Sequence, residues 1–305
     1  MQPSAQLAGI LARLEPLLGV AEGEPVALDG GITNRNYRVR FGGREYVVRL
    51  PGKDTALLGI SRDAERIANA AAATLGIAPT VAAAMDDCLV TRYVRCRAVS
   101  AEELRAAPEA IATALRRFHD SGTELPARFW VPELLDSYAS VTLQRGGALP
   151  EPYEHARDAA ARIAAVLPLS DPVPCHDDLL TANLIVALGE TSAPSRLMLV
   201  DWEYAGIGHR LFDLGNLAVN NDFDEIAEQR LLRAYLGREP RAGELAALRL
   251  MRVMSDAREA AWGVVQSTVS ELDFDFSAYA ARHFERLTRA TSDPRFQEWL
   301  GAATA

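Results

Sequence analysis

The sequence predicts an α+β protein of two lobes, a small N-terminal lobe built on an antiparallel sheet and a larger, mainly helical C-terminal lobe. Short runs typical of β-strands crowd the first third of the chain, whereas apolar residues at helical spacing dominate the remainder. A chain of 305 residues that is 49% hydrophobic and 24% charged is long enough to bury a substantial core. We place the lobe boundary between residues 1–96 and residues 97–305.

The N-terminal lobe is predicted to open with an amphipathic helix, because the apolar residues of segment 7–18 recur at helical spacing and stop at Gly19. Five strands follow, with one further helix among them. Ser61 is a suitable N-cap for this helix, which is expected to end at about Leu75. The pair at 42–43, Gly-Gly, readily adopts the positive φ angles of a tight hairpin. The predicted strands are 25–29, 36–41, 44–50, 80–84 and 87–94.

The C-terminal lobe is predicted to be helical, with two short apolar strands in its middle. A cleft between a sheet lobe and a helical lobe is a common place for a ligand to bind. The predicted helices are 108–120, 153–166, 225–236, 243–269 and 277–289, and the predicted strands are 183–187 and 197–201.

Bulk properties exclude several classes of partner. A formal net charge of −9 would repel a phosphate backbone, and no basic stripe is visible, so we expect no nucleic-acid partner. The three cysteines have neither the C-x-x-C spacing of a zinc site nor the even number of a disulfide framework. The first ten residues lack the basic start and apolar region typical of a secretory leader, and no run of about 18 apolar residues occurs. We therefore expect a soluble, cytoplasmic protein without a membrane partner.

The segment CHDDLLTAN, residues 175–183, carries the strongest chemical signal, and an apolar strand ending at Asp201 follows it. Phosphoryl transfer needs a carboxylate that orients the attacking hydroxyl and accepts its proton, together with oxygen ligands for magnesium. Asp178 is the candidate for the first task, and Asn183 and Asp201 are the candidates for the second. The step from Asp178 to Asn183 matches the pattern H-x-D-x-x-x-x-N of phosphoryl-transfer loops.

An alternative interpretation makes His176, Asp177 and Asp178 ordinary turn and helix-cap residues, which is common for clusters of polar residues. The additional carboxylate of Asp201 at the end of a strand favours the catalytic interpretation. His176 is expected to orient the loop rather than to act as a base, and Asp177 receives no catalytic role.

The chain resembles the choline/ethanolamine kinase family, within the broader group that includes aminoglycoside phosphotransferases. The resemblance rests on four segments and covers most of the chain: GGITNRNY at 30–37, HDDLLTAN at 176–183, DWEYAG at 201–206 and FDLGN at 212–216. It implies a bilobal fold like that of protein kinases, with ATP and magnesium in the cleft. Residues 1–96 would then bind the nucleotide, and residues 97–305 would supply the catalytic groups and the acceptor pocket.

The resemblance implies that the loop from Gly30 and Gly31 to Asn36 covers the nucleotide phosphates. Glycine lets backbone amides approach a phosphate closely, and Thr33 and Asn34 can add hydrogen-bond donors. The alternative is a simple turn before a strand.

Arg49 lies on a strand where kinases place a lysine that contacts the nucleotide phosphates, and arginine at this position is a feature shared with choline kinases. Glu65 is its expected partner. The alternative is an ordinary surface ion pair, which contributes little.

The resemblance places Trp262, Phe274 and Tyr279 in the acceptor pocket. Aromatic faces attract a desolvated cation by about 0.5–2 kcal/mol each. Spacing alone would make these residues core packing.

Two positions depart from the choline-kinase pattern. Glu259 stands where the family has a second tryptophan, and Asn220 stands where it has an acidic residue. Glu259 can supply a direct charge instead, which would also suit a primary amine, and Glu203 is either a further negative charge in the pocket or a structural residue. Asp213, expected in a loop after the strand that ends at Asp201, is expected to fix the local backbone.

These observations predict an ATP- and magnesium-dependent phosphotransferase that phosphorylates the hydroxyl of a cationic or amino alcohol acceptor, choline or ethanolamine. The alternatives are the same chemistry on thiamine or an aminoglycoside-like amino sugar, and a catalytically silent, nucleotide-binding interaction module. The sequence leaves the oligomeric state open.

Overall fold

The computed structural model describes residues 5–28, 34–53, 55–188 and 196–303. The helices are α1 Ala5–Leu18, α2 Arg62–Thr74, α3 Ala101–Ala106, α4 Glu109–His119, α5 Val131–Gln144, α6 Pro152–Val166, α7 Arg210–Asn220, α8 Glu225–Leu236, α9 Ala242–Val269, α10 Phe276–Ser292 and α11 Arg295–Ala302. The strands are β1 Ala21–Leu28, β2 Arg35–Phe41, β3 Arg44–Leu50, β4 Val81–Met85, β5 Cys88–Arg92, β6 Cys96–Ala98, β7 Val173–Cys175, β8 Leu184–Ala187, β9 Arg196–Leu199 and β10 Gly206–Gly208.

The N-terminal part is a five-stranded antiparallel sheet of order β1-β2-β3-β5-β4, covered by α1. Leu7, Ile10 and Leu14 of α1 are buried against apolar residues of the sheet, which explains the helical spacing of apolar residues in this segment. Gly42 and Gly43 both have positive φ at the turn between β2 and β3. The opening helix and the five predicted strands are therefore confirmed.

Helix α2 joins the sheet to the helical part. The Ser61 side chain accepts a hydrogen bond from the backbone of Ala64, as expected for an N-cap. Ala64, Ala68 and Ala72 form a buried face four residues apart, and this face packs in the same core as Trp202 of the C-terminal part. The proposed boundary at residues 96 and 97 falls within β6, which pairs with β8, and it stays a prediction.

The C-terminal part is organised around α9, a helix of 28 residues that packs against α5, α6, α7, α10 and α11. The five predicted helices correspond to α4, α6, α8, α9 and α10 and are confirmed. The sequence patterns did not identify α3, α5, α7 or α11. The two-lobed α+β class, with an N-terminal antiparallel sheet and a mainly helical C-terminal part, is the observed fold.

Two predictions about the segment after residues 175–183 are wrong. Strand β9 ends at Leu199, before Asp201, because Asp201 has a φ of 64°, which does not continue a strand. Asp213 lies in the first turn of α7 rather than in a loop. Gly215 lets this helix pack closely on α9, since a Cβ there would lie 2.6 Å from the Met251 backbone.

Among the residues described, no helix combines the length and the apolar character that crossing a lipid bilayer requires.

Candidate active site

The loop between β7 and β8 is held in place by Asp213. Its two carboxylate oxygens accept hydrogen bonds from the backbone nitrogens of His176 at 2.9 Å and Asp177 at 2.8 Å, and the His119 ring nitrogen lies 3.0 Å away. Burial favours a neutral Asp213, but the contacts with His119 and His176 outweigh burial and lower its pKa. An ionised Asp213 therefore fixes the loop backbone, including Asp177 at a φ of 66°.

His176 is a buried orienting residue. Its Nε2 lies 3.0 Å from the carbonyl oxygen of Val200, and its Nδ1 accepts from the backbone nitrogen of Asp178 at 3.3 Å. The ring packs on Trp202 with centroids 4.5 Å apart. Burial lowers the pKa of His176, so the imidazole is neutral and joins the loop to the strand end near Asp201.

Asp178 is the carboxylate that the loop presents to the cleft. The amide nitrogen of Asn183 donates to the Asp178 backbone carbonyl at 2.8 Å and to its Oδ2 at 2.9 Å, which fixes the carboxylate in one orientation. Oδ1 lies 3.4 Å from a guanidinium nitrogen of Arg258. Burial raises the pKa of Asp178 to about 8, against the opposing effect of Arg258 and with support from the charge of Glu259.

Arg49 of β3 contacts three carboxylates, one from α2 and two from the loop between β9 and β10. It lies 2.7 Å from Glu65 of α2, the partner that the sequence predicts, 2.6 Å from Asp201 and 3.0 Å from Glu203. Arg62 adds a second guanidinium, 2.7 Å from Glu65. Burial raises the pKa of Asp201 to about 6, although Arg49 lowers it and the neighbouring acids Glu203 and Glu65 raise it further. The three acids outnumber the two guanidinium groups, so this end of the cleft suits a cation.

The donor groups fit magnesium. This hard cation prefers oxygen ligands, including carboxylates and amide carbonyls. Because the amide nitrogen of Asn183 donates both of its hydrogens to Asp178, the amide oxygen is left for another partner. The carboxylate of Asp201 stands at the same cleft.

A continuous cleft of about 860 Å³ connects the two ends of the site. Leu28, Val47 and Tyr93 line the end under the N-terminal sheet, and Trp262 and Tyr279 line the opposite end. The predicted site residues that line the cleft are Asn36, Arg49, Asp178, Asn183, Asp201, Glu203, Asn220, Glu259, Trp262 and Tyr279.

The remaining predicted site residues have other positions. Glu65 lies behind Arg49, and Asn34 is buried with its amide nitrogen 3.0 Å from Glu203. Phe274 does not line the cleft; its side chain is 38% exposed and packs beside Tyr279, with ring centroids 6.0 Å apart. Gly30, Gly31 and Thr33 lie outside the described residues.

The acceptor end is more polar than a cage of aromatic rings. The Trp262 and Tyr279 rings meet edge to face with centroids 5.4 Å apart, and the indole nitrogen donates to the hydroxyl of Tyr204 at 2.6 Å. Glu259 accepts from Arg258 at 2.9 Å and from the Tyr279 hydroxyl at 2.7 Å. Burial would raise the pKa of Glu259, but Arg258 and the other hydrogen-bonding neighbours lower it.

Sequence reasoning missed Arg258 and Arg286. Arg258 connects Asp178 to Glu259, and Arg286 donates to Asn220 at 3.2 Å. The adjacent charges of Arg258 and Glu259 interrupt the apolar sequence of α9, a helix that is buried over most of its length. Buried charges are rarely retained without a partner, and this interruption was the signal that could have identified Arg258.

The chain is similar to proteins of known family. The sequence model of the family described as phosphotransferase enzyme family matches residues 25–250. Protein LicA of Haemophilus influenzae is 26% identical over 223 residues, which cover 69% of this chain and 62%, or less than two thirds, of LicA. Human choline/ethanolamine kinase is 25% identical over 288 residues, covering 79% of this chain and 71% of that protein.

A solved structure is similar over almost the whole chain. The choline/ethanolamine kinase family protein of Mesorhizobium loti is 30% identical, with a TM-score of 0.80 and coverage of 98% of this chain and 99% of that one. The family match spans most of the chain and includes residues 175–183. The chain therefore belongs to the phosphotransferase enzyme family, in its choline-kinase-like branch.

Proposed function

We propose that the protein transfers the γ-phosphoryl group of ATP, with magnesium, to the hydroxyl of a small amino alcohol, choline or ethanolamine. The observation that carries this proposal is the meeting of Asp178, Asn183 and Asp201 in one cleft. That cleft continues to Trp262 and Tyr279, and relatives described as choline/ethanolamine kinases support the choice of acceptor.

Asp178 is proposed to orient the acceptor hydroxyl and to take its proton. The hydroxyl oxygen forms a bond to the γ-phosphorus while the bond to the bridging oxygen of ADP breaks, and the proton passes to a carboxylate oxygen of Asp178. The two hydrogen bonds from Asn183 fix the direction in which this carboxylate points. Magnesium bound by Asn183 and Asp201 would neutralise charge on the phosphate oxygens.

The nucleotide is proposed to bind against the N-terminal sheet. Arg49 is held at the cleft by its carboxylate neighbours and would contact the phosphates. Leu28 and Val47 offer apolar surface to the base. The segment from Gly30 to Asn36 would cover the phosphates, as the resemblance implies.

The acceptor is proposed to bind at the other end of the cleft. Trp262 and Tyr279 present aromatic surface to an ammonium group, and Glu203, Glu259 and Asn220 supply polar neighbours. Phe274 would act only through its contact with Tyr279.

ADP release with ATP and magnesium tests the proposal across choline, ethanolamine, thiamine and an aminoglycoside. We expect turnover of choline or ethanolamine, and a fall in kcat of about 10²- to 10⁴-fold in Asp178→Asn. Asp171→Asn changes a carboxylate that is 86% exposed and serves as the matched control. Turnover of thiamine or the aminoglycoside alone would contradict the proposed substrate and leave the proposed chemistry intact. ATP binding without turnover of any acceptor would contradict the proposed catalysis.

A further inference from the structure

The carboxylates at the acceptor end are already paired within the protein. Glu259 contacts Arg258 at 2.9 Å and Tyr279 at 2.7 Å. Asp256 lies 2.6 Å from Arg286 and 2.9 Å from His283. A cationic substrate would therefore find little uncompensated negative charge on Glu259 or Asp256, because both acids already have a cationic or hydrogen-bonding neighbour.

Helix α10 adds positive charge to the same end of the cleft. Arg282, Arg286 and Arg289 line the cleft at helical spacing, with Glu285 as the acidic residue among them. Arg282 and Arg289 are exposed, and neither has an ion-pair partner in the ranges 5–28, 34–53, 55–188 and 196–303. Surface arginines elsewhere pair readily, as Arg230 does with Glu109 at 2.7 Å.

Arg282 adjoins the proposed acceptor pocket. Tyr279, which contacts Glu259, precedes Arg282 by three residues, or about 4.5 Å along the helix axis. The guanidinium of Arg282 lies 5.7 Å from the centroid of the Tyr279 ring. An anionic group bound by Arg282 would consequently lie close to an ammonium group against Tyr279.

We propose that the acceptor is a zwitterionic amino alcohol, whose carboxylate binds the arginine face of α10 through Arg282 and Arg289. Arg286 lies on the same face but is already paired with Asp256. This inference rests on the proposed function and narrows its substrate class. The ammonium group faces Trp262 and Tyr279, and the hydroxyl reaches Asp178. Guanidinium groups bind a carboxylate through paired hydrogen bonds, which distinguishes such an acceptor from choline and ethanolamine.

Four acceptors of closely related shape test the charge requirement. L-serine is ethanolamine with an added carboxylate, 2-amino-1,3-propanediol has a neutral hydroxymethyl group in its place, and L-homoserine lengthens the hydroxyl arm. We expect kcat/KM for L-serine or L-homoserine to exceed that for ethanolamine and for the diol by about tenfold or more, the contribution of a hydrogen bond between charged groups.

Variants of the arginine face then locate the effect. Arg282→Gln and Arg289→Gln are each expected to lower the ratio of kcat/KM for the carboxylate acceptor to that for ethanolamine about tenfold. Arg282→Lys should lower this ratio less than Arg282→Gln does, because lysine keeps the positive charge. Arg230→Gln changes an arginine of α8 that pairs with Glu109 and does not line the cleft, so it should leave the ratio unchanged.

Two results would overturn the inference: equal or faster turnover of ethanolamine, or a ratio that neither glutamine variant changes. In the first case the proposed function would survive without the carboxylate site. If no acceptor is turned over, calorimetric titration of L-serine into protein saturated with ADP and magnesium decides the matter. Binding that Arg282→Gln weakens supports the site, and no heat at about 10 mM L-serine rejects it.

Discussion

Replacing Asp178 by asparagine should stabilise the ligand-free protein while it removes catalysis. The substitution keeps the shape of the side chain, so Asn183 still finds an oxygen acceptor and Arg258 keeps Glu259 as its partner. The substitution removes the free-energy cost of ionising a buried carboxyl group, which is 9% exposed and surrounded by other acids. A stability gain at a catalytic residue is expected where function requires an unfavourable buried charge.

The expected size and its pH dependence follow from the raised pKa. Asp178 has a pKa of about 8 in the folded protein, against an ordinary value of 3.8. At a pH between these two pKa values, Asp178 is ionised in the unfolded chain but keeps its proton in the folded protein. The free energy of unfolding of the wild type therefore falls as the pH rises. The fall is on the order of 1.4 kcal/mol per pH unit, which accumulates to a few kcal/mol by pH 7.

Urea unfolding followed by tryptophan fluorescence at pH 5, 6, 7 and 8 measures this difference. Nucleotide and magnesium are omitted, because a bound cation would favour the ionised carboxylate. The excess stability of Asp178→Asn over the wild type should grow with each step in pH, whereas Asp171→Asn should follow the wild type. A difference that is independent of pH, or a wild type more stable than Asp178→Asn at pH 8, would refute the reasoning.

Three further predictions concern other parts of the cleft. Arg49→Met should lower the free energy of unfolding by about 3–5 kcal/mol, since three carboxylates lose their shared cation; a loss below about 1 kcal/mol in urea unfolding would contradict the pairing. Asp201→Asn should raise the magnesium concentration for half-maximal activity about tenfold or more, and an unchanged magnesium titration would exclude its metal role. Tyr279→Phe should raise the acceptor KM about tenfold, whereas Phe274→Ala should change it by less than about twofold; equal effects in steady-state kinetics would argue against this placement.

The spacing of polar residues in the sequence was enough to predict how the loop at residues 176–183 closes. The spacing between Asp178 and Asn183 is a local property of one turn, and the structure closes that turn with hydrogen bonds between the same two residues. Apolar spacing likewise predicted α9, because a long helix repeats its pattern many times. The functional roles of these residues stay predictions until they are measured.

Long-range contacts could not be predicted in the same way. Arg258 follows Asp178 by 80 positions and lies 3.4 Å from it only in the folded protein, so no local pattern joins the two. Helix α7 carries Gly215 and Asn216, both poor helix formers, and it is stabilised by close packing on α9. Phe274 precedes the N-cap of α10, which leaves its ring partly exposed outside the cleft.

The most direct test of the central claim is identification of the phosphorylated product. Purified protein is incubated with magnesium, ATP and an equimolar mixture of choline, ethanolamine and L-serine, and phosphate esters are quantified by mass spectrometry beside an Asp178→Asn sample. We predict a phosphomonoester of an amino alcohol whose yield follows ADP release and falls about 10²- to 10⁴-fold in the variant. ADP and inorganic phosphate without any ester, or equal ester yields from both proteins, would contradict phosphoryl transfer by Asp178.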